Sequence, residues 1–303
     1  MTVRARQVLL ISREANFSML TPSNSASKLS MSDGGTELPV TSSKEPVWAP
    51  EAYECYQGVL KGLLAADVPF AVSGGFAFHN HTGIWRTTKD LDLVIPPDAV
   101  PRAFEVLIQE GFETYIQDPV WLAKARRGDY FVDLITGVGN ATLTVEQLWI
   151  DRAQEDEVLG MRCKVLPAEE MIASKLFVTR RERFDGADTA HLLRACAASL
   201  DWDRLRKLTE PHWQVLYWHL VLFAYIYPAN AADVPPGIWR ELTESFNQSV
   251  AAPTQDVPFR GTLIDPKMFA IDVNEWGEQD TYRELWENYP HPLEETNTTR
   301  SKE

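Results

Sequence analysis

The sequence contains few cysteines and fewer basic than acidic residues. Cys55, Cys163 and Cys196 are far apart and lack the close spacing of a metal-binding motif. We therefore expect free thiols in a reducing cytosol. Lysine and arginine number 29 against 43 aspartates and glutamates, and the formal net charge is −14. This balance disfavours electrostatic binding of duplex nucleic acid over a broad face, and leaves residues 124–127 and 180–183 as candidates for a local basic groove.

Long hydrophobic runs are also missing. The apolar run near the first residue, VLLI, is shorter than the core of a secretory signal peptide. The longest apolar segment, residues 215–227, includes His219 and is shorter than a membrane-spanning helix. These features predict a cytoplasmic protein without a membrane segment. Hydrophobic residues nevertheless make up 45% of the chain, which is enough for a substantial core.

The 303 residues divide by composition into four segments. Residues 1–48 are rich in Ser, Thr, Asn and Gly without periodicity, and we predict that they are disordered. Residues 49–150 alternate helical and strand patterns, which predicts an α/β domain. Residues 151–250 predict a helical domain, and residues 251–303 a C-terminal extension that is partly disordered at its end.

A glycine pair follows the first predicted strand. The apolar run PFAV precedes Ser73, Gly74 and Gly75, which indicates a strand that ends in a tight turn before a short helix. Backbone N–H groups in such a turn, next to a helix N-terminus, form a cradle for anions such as phosphates. Taken alone, a glycine pair is more often an ordinary turn.

Three aspartates lie on two further predicted strands. Asp90 and Asp92 alternate with Leu91 and Leu93, so both carboxylates point to one face of the strand KDLDLVI. Asp133 is likewise flanked by apolar residues in FVDLIT. Carboxylate oxygens suit Mg²⁺, and a third acid beside such a pair suits metal-assisted phosphoryl or nucleotidyl transfer. Although a D-x-D pair alone is common, the combination with the glycine turn predicts a site for a metal-bound nucleoside triphosphate, with Mg²⁺ or Mn²⁺ as the ion.

The combined pattern resembles a known superfamily. The motifs SGG, RTTKDLDLVI and FVDLI are similar to those of nucleotidyltransferases with the DNA polymerase β-like fold, in particular the minimal bacterial type related to abortive-infection toxins. A later segment, EEMIASKLFVTRRERFDGADTAHLL, resembles the helical part of that group, with Lys175 and Asp188 in the matching places. The resemblance covers residues 68–193. It implies an α+β fold, with a mixed sheet flanked by helices and followed by a helical C-terminal domain.

The resemblance also implies roles for the matching residues. Asp90 and Asp92 are implied to hold Mg²⁺, and Asp133 to bind a second metal or to act as the base for the acceptor hydroxyl. Triphosphate contacts are implied for Ser73, Gly74, Gly75, Arg86 and Lys175, and acceptor or support contacts for Lys89, Arg183 and Asp188. Arg86 is alternatively a brace for the aspartate strand.

The implied activity is transfer of a nucleoside monophosphate from an NTP to an unidentified acceptor hydroxyl, with release of pyrophosphate. The acceptor is a small molecule, an RNA or a protein. Three alternatives stay open. They are a regulatory protein that keeps the fold without catalysis, a toxin-like enzyme that modifies tRNA or a protein and pairs with an antitoxin, and a phosphohydrolase that releases inorganic phosphate.

Other polar residues have simpler interpretations. His79 and His81 form an H-x-H pattern, but a helix would point the two rings in different directions, which favours packing over metal binding. Lys175 lies among apolar residues, as a lysine that extends from a helix edge into solvent also does. The arginines of residues 180–183 are typical of a solvated face.

Overall fold

The computed structural model describes residues 41–42, 48–86, 88, 90–138, 142–253, 257–288 and 293. The disorder predicted for residues 1–48 therefore falls mostly outside the described residues. Within that segment, Thr41–Ser42 pairs with Trp85–Arg86, so this short piece is a strand. Lys89, one of the predicted support residues, also lies outside the described part of the chain.

Strands and helices alternate through the first half of the chain, and helices dominate the second. The strands are β1 Thr41–Ser42, β2 Ala71–Val72, β3 Trp85–Arg86, β4 Asp90–Val94, β5 Glu113–Asp118, β6 Leu122–Arg127, β7 Tyr130–Ile135, β8 Gly137–Val138, β9 Leu143–Thr144, β10 Gln154–Val158, β11 Met161–Val165, β12 Thr179–Arg180 and β13 Arg183–Phe184. The helices are α1 Pro50–Ala65, α2 Gly74–Thr82, α3 Val100–Gln109, α4 Gln147–Arg152, α5 Ala168–Lys175, α6 Gly186–Cys196, α7 Trp202–Thr209, α8 Trp213–Ile226, α9 Pro236–Ala251, α10 Gly261–Ile264, α11 Ala270–Asn274 and α12 Thr281–Asn288.

A mixed sheet forms the centre of the fold. Its seven strands run in the order β10-β11-β2-β4-β7-β6-β5. Strand β4 pairs in parallel with β7 and antiparallel with β2, and β6 pairs antiparallel with β7. Leu91 and Leu93 of β4, and Val132 and Leu134 of β7, are fully buried. Because side chains alternate along a strand, the aspartates between these residues point to the opposite face.

Helices cover the sheet. Helices α1 and α3 pack against each other, and their apolar residues follow helical spacing, as in Val59, Leu60 and Leu63. Helix α2 contacts β4, α5 and α6. The region where these elements meet contains most of the candidate functional residues. The predicted mixed sheet with flanking helices and a helical C-terminal part is confirmed.

The sheet continues past residue 150, where the α/β domain was predicted to end. Strands β10 and β11 form an antiparallel pair, and Val165 of β11 pairs in parallel with Val72 of β2. Helices α5 to α9 follow these strands. The division of the chain into four segments stays a prediction.

The segment of residues 169–193, which resembles the helical part of the family, is not helical throughout. Helix α5 ends at Lys175, and β12 and β13 form a hairpin in the rest of the segment. The hairpin is held by residues far along the chain, since Arg181 N–H donates to Asp265 Oδ2 and Glu182 pairs with Lys267. These distant partners explain why a basic run with helical character forms a hairpin here.

The described part of the chain has no helix both long enough and apolar enough to cross a membrane. The three cysteines are buried free thiols, as predicted. The cytoplasmic location stays a prediction.

Candidate active site

Three aspartates meet on one face of the sheet. Asp92 of β4 lies directly opposite Asp133 of β7 in the parallel pairing, and Asp90 precedes Asp92 on the same face. One carboxylate oxygen from each of the three residues lies within 4.8 Å of the others. The structure therefore brings the three predicted metal ligands together, and we call them the aspartate cluster.

Two neighbouring side chains orient the aspartate cluster. Thr88 Oγ1 donates a hydrogen bond to Asp90 Oδ1 over 2.9 Å. Lys124 lies opposite Asp133 in the pairing of β6 with β7, and its Nζ donates to Asp133 Oδ2 over 2.9 Å. Sequence reasoning gave neither residue a role at this site. Thr88 is visible in the motif RTTKDLD, whereas Lys124 appeared only as part of a basic run.

The carboxylates of the cluster repel one another. Burial, together with the charges of Asp90 and Asp133, raises the pKa of Asp92 to about 7. Burial also raises the pKa of Asp133, and the hydrogen bond from Lys124 offsets part of that rise. Lys175 and Arg183 act in the opposite direction on Asp92, because their positive charges lower its pKa.

The cluster has the oxygen donors that a divalent cation prefers. Three carboxylates converge, and Asp133 Oδ1 is buried without a hydrogen bond, although Lys124 Nζ lies 2.8 Å from it. Mg²⁺ is usually bound by one or two carboxylates together with substrate phosphates. These residues fit such an ion.

Gly74 allows the backbone to pass close to the aspartate cluster. Its φ is +54°, in the left-handed region that favours glycine. A Cβ at this position would lie 1.8 Å from Asp92 Oδ2. At Gly75, a Cβ would lie 3.3 Å from Thr88 Cβ. The glycine turn and the aspartate strand, which the sequence placed in one motif, are therefore in direct contact.

Ser73 differs from the two glycines that follow it. Its N–H donates to Asp92 O over 2.8 Å as part of the sheet, and its hydroxyl lies 3.7 Å from Met171 Sδ as a donor. Gly74 and Gly75 begin α2, where N–H groups have no intrahelical acceptor. The anion cradle predicted for the three residues thus has one N–H already engaged. The triphosphate contact of this turn stays a prediction.

A second charged group joins the strand side to the helical side of the fold. Lys175 Nζ donates to Asp185 Oδ2 over 3.0 Å and to Asp188 Oδ2 over 2.8 Å. Arg86 forms an ion pair with Asp188, and Arg183 Nε lies 3.2 Å from Asp185 Oδ1. We call these five residues the Lys175 cluster. Four of its residues, Arg86, Lys175, Arg183 and Asp188, were predicted from the sequence to belong to the site, and Asp185 is the fifth.

Ion pairs with Asp185 and Asp188 hold the Lys175 side chain in a largely buried position. Its side chain is 13% exposed, so the interpretation of a lysine that extends into solvent is wrong. Burial alone would raise the pKa of Asp185, but Lys175 and Arg183 hold it below its ordinary value. The predicted contact of Lys175 with a triphosphate stays a prediction.

The histidine pair is used for packing. The His79 ring stacks on Trp85 with 3.9 Å between ring centroids. His81 Nε2 lies 2.7 Å from Leu166 O. The two rings contact different elements, as expected for neighbouring positions on a helix.

Comparison with known protein families gives one match. A family model described as "Uncharacterised nucleotidyltransferase" matches residues 59–227, which is more than half of the 303-residue chain. The matched range includes both the aspartate cluster and the Lys175 cluster. None of the curated proteins compared matches the sequence.

Several solved structures resemble this chain at low identity. The antibiotic-resistance factor ANT(2″)-Ia has 15% identity and a TM-score of 0.38, over 55% of this chain and 95% of its own. An antigenic nucleotidyltransferase-like protein from Paracoccidioides brasiliensis has 16% identity and a TM-score of 0.37, over 65% and 94%. JHP933 from Helicobacter pylori has 15% identity and a TM-score of 0.34, over 66% and 96%.

Proposed function

We propose a metal-dependent reaction for this chain, which belongs to the nucleotidyltransferase family. It transfers a nucleoside monophosphate from an NTP to an acceptor hydroxyl and releases pyrophosphate. The observation that carries this proposal is the convergence of Asp90, Asp92 and Asp133 next to the backbone of Gly74. Nucleotidyl transfer depends mainly on positioning the triphosphate and neutralising its charge, and a carboxylate-bound cation beside a glycine turn suits both tasks.

Each residue of the aspartate cluster has a defined task in this proposal. Asp90 and Asp92 would hold Mg²⁺ or Mn²⁺, which supplies charge neutralisation at the triphosphate when bound. Thr88 orients Asp90 through its hydrogen bond. The N–H groups of Gly74 and Gly75 would contact the triphosphate at the start of α2.

The bond changes in the transfer step balance without an additional reactant. The acceptor oxygen forms a bond to the α-phosphorus while the bond from that phosphorus to the bridging oxygen breaks. Pyrophosphate leaves, and the hydroxyl proton passes to a carboxylate of the cluster. Lys175 and Arg183, whose charges already act on Asp92, extend the positive potential towards the triphosphate.

We also propose an arrangement for the remaining segments. Residues 49–150 would form the catalytic domain and residues 151–250 the helical domain, with residues 1–48 and 251–303 outside both. The two would be joined by the ion pair of Arg86 with Asp188. A relationship to abortive-infection toxins, an antitoxin partner and a cytoplasmic location all stay predictions.

Calorimetry with ATP, CTP, GTP and UTP, each with and without Mg²⁺, tests the proposal. We expect Mg²⁺-dependent binding of at least one nucleotide, and loss of that binding in the variant Asp90→Asn/Asp92→Asn. The matched control is Asp151→Asn/Asp203→Asn, which removes the same charge from exposed positions and should bind as the wild type does.

The products distinguish the proposed reaction from its alternatives. With an α-labelled nucleotide, transfer leaves the label on an acceptor and releases pyrophosphate, whereas a phosphohydrolase releases inorganic phosphate. Absence of metal-dependent binding for all four nucleotides would contradict the proposal and favour a regulatory protein that keeps the fold.

A further inference from the structure

A lysine and two aspartates form a row across three neighbouring strands. Lys124 of β6 lies opposite Asp133 of β7, and Asp133 lies opposite Asp92 of β4. Directly opposed residues in a sheet are near neighbours on one face. The row therefore places an ammonium group beside the aspartate cluster, on the side away from β2 and the glycine turn.

Lys124 contacts both oxygens of Asp133. Its Nζ lies 2.8 Å from Oδ1 and 2.9 Å from Oδ2. The two side chains are only 17% and 12% exposed, so the pair is shielded from water. The Phe131 ring also faces the ammonium, with its centroid 6.0 Å from Nζ. A surface lysine with a mobile head group is not held in this way.

The neighbouring cation on the same face of β6 is placed differently. Arg126 Nε donates to the backbone oxygen of Gly128 over 2.9 Å, at an exposed position. Its guanidinium lies over Phe131, with the centroid 5.4 Å away. A basic residue on this face of β6 therefore does not necessarily contact the aspartate cluster. The pairing of Lys124 with Asp133 is specific to that register position.

The charges of the cluster favour one divalent cation over two. When all three carboxylates are ionised, they and the Lys124 ammonium carry two more negative charges than positive ones. One divalent cation neutralises that excess. A second divalent cation bound through Asp133 would lie close to the Lys124 ammonium, because that ammonium contacts both oxygens of Asp133. Two positive charges so close together repel strongly when they are shielded from water.

We propose that Lys124 takes the place of a second metal ion, so that the aspartate cluster binds one divalent cation through Asp90 and Asp92. This inference rests on the proposed function. Of the two roles implied for Asp133, it excludes binding of a second metal and leaves that of base for the acceptor hydroxyl. The Lys124 ammonium holds Asp133 beside the metal site, in the position that a second metal ion would otherwise occupy. It acts through Asp133 and is a positioning residue.

Titration with Mn²⁺ alone, followed by electron paramagnetic resonance, counts the bound ions per chain. We expect one Mn²⁺ in the wild type, none in Asp90→Asn/Asp92→Asn, and one in Asp133→Asn. The variant Lys124→Met should bind a second, weaker Mn²⁺, and the two close ions should broaden each other's spectrum. The control Lys164→Met removes a lysine of the same sheet that donates to Ile150 O, and should bind one.

Different failures have different meanings. Two Mn²⁺ in the wild type, both lost in the double variant, would overturn the inference and leave the proposed function standing. No Mn²⁺ in the wild type, either alone or with each of the four nucleotides added, would overturn both. A single Mn²⁺ in folded Lys124→Met would show that the lysine does not exclude the second ion, and loss of Mn²⁺ from Asp133→Asn would show that Asp133 is needed for the first. The last measurement leaves Lys124 in place, so it decides even where Lys124→Met does not fold.

Discussion

The aspartate cluster and the Lys175 cluster are both groups of charged side chains, but they differ in how their charges balance. In the first, three carboxylates face a single ammonium. In the second, Asp185 and Asp188 are each paired with two cationic groups. The pKa of Asp92 is raised to about 7, whereas that of Asp185 is lowered.

The difference in charge balance predicts opposite contributions of the two clusters to folding. A group of acids that lacks enough positive charge opposes folding and gains from a bound cation. A group in which each acid has cationic partners stabilises the elements that carry it. Here those elements are α5, α6 and the strand residue Arg86. The same substitution, aspartate to asparagine, should therefore have opposite effects on stability in the two clusters.

The largest effect is expected from Asp188→Asn. Removing this carboxylate leaves Lys175 and Arg86 with one acid fewer in a site where Asp188 is 7% exposed. Removing one partner of a buried ion pair costs about 3–5 kcal/mol. We expect the free energy of unfolding to fall by about this amount in denaturant titrations with EDTA present.

Asp92→Asn is the matched comparison and should change stability in the other direction. The pKa of Asp92 rises from 3.8 to about 7 on folding. Its contribution to the free energy of unfolding is therefore complete below pH 4 and is lost as the pH rises through 7. In EDTA at pH 8 the asparagine variant should be more stable than the wild type. Equal losses of stability in both variants would remove the distinction between the clusters.

A change of pH should have a smaller effect, which is on the affinity for Mn²⁺. Because the pKa of Asp92 is about 7 without a cation, Mn²⁺ must displace a proton at lower pH. The dissociation constant for Mn²⁺ should therefore be about tenfold higher at pH 6 than at pH 8. Paramagnetic resonance titrations at the two pH values measure this ratio. An unchanged dissociation constant would mean that Asp92 does not bind the ion.

The smallest effect is expected from Thr88→Val, which removes the hydrogen bond to Asp90 Oδ1. A bond of this kind contributes about 1 kcal/mol, so Mn²⁺ affinity should fall about fivefold. The control is Thr82→Val, which removes the hydroxyl that donates to Phe78 O at the end of α2. Equal Mn²⁺ affinities in wild type and Thr88→Val would show that Thr88 does not orient the site.

Much of the aspartate cluster could be predicted from local sequence. The alternation of Asp90 and Asp92 with leucines fixes a strand and the face of its carboxylates, because side chains alternate along β-strands. The glycine turn before α2 is equally local. Asp133 was predicted in the same way, from its own strand FVDLIT, and the family resemblance added Lys175 and Asp188, which no short window connects to the aspartates.

Contacts between distant strands could not be predicted in this way. Lys124 meets Asp133 only because β6 pairs with β7 in one register, and the basic run around it gave no sign of that pairing. The hairpin after α5 was likewise missed, because its anchor, Asp265, lies far along the chain. Local patterns determine which face a side chain occupies, whereas its neighbours on that face depend on how the whole sheet assembles.

The row of Lys124, Asp133 and Asp92 also bears on how accurately the sheet must form. In each of the three strands the next residue along is a fully buried apolar side chain: Ala125, Leu134 and Leu93. A slip of one residue in any strand would turn its charged group into the core and its apolar residue outwards. The same charges that would bind the cation thus destabilise sheets with a shifted register. The sheet reaches its stable register only when the aspartate cluster is also assembled.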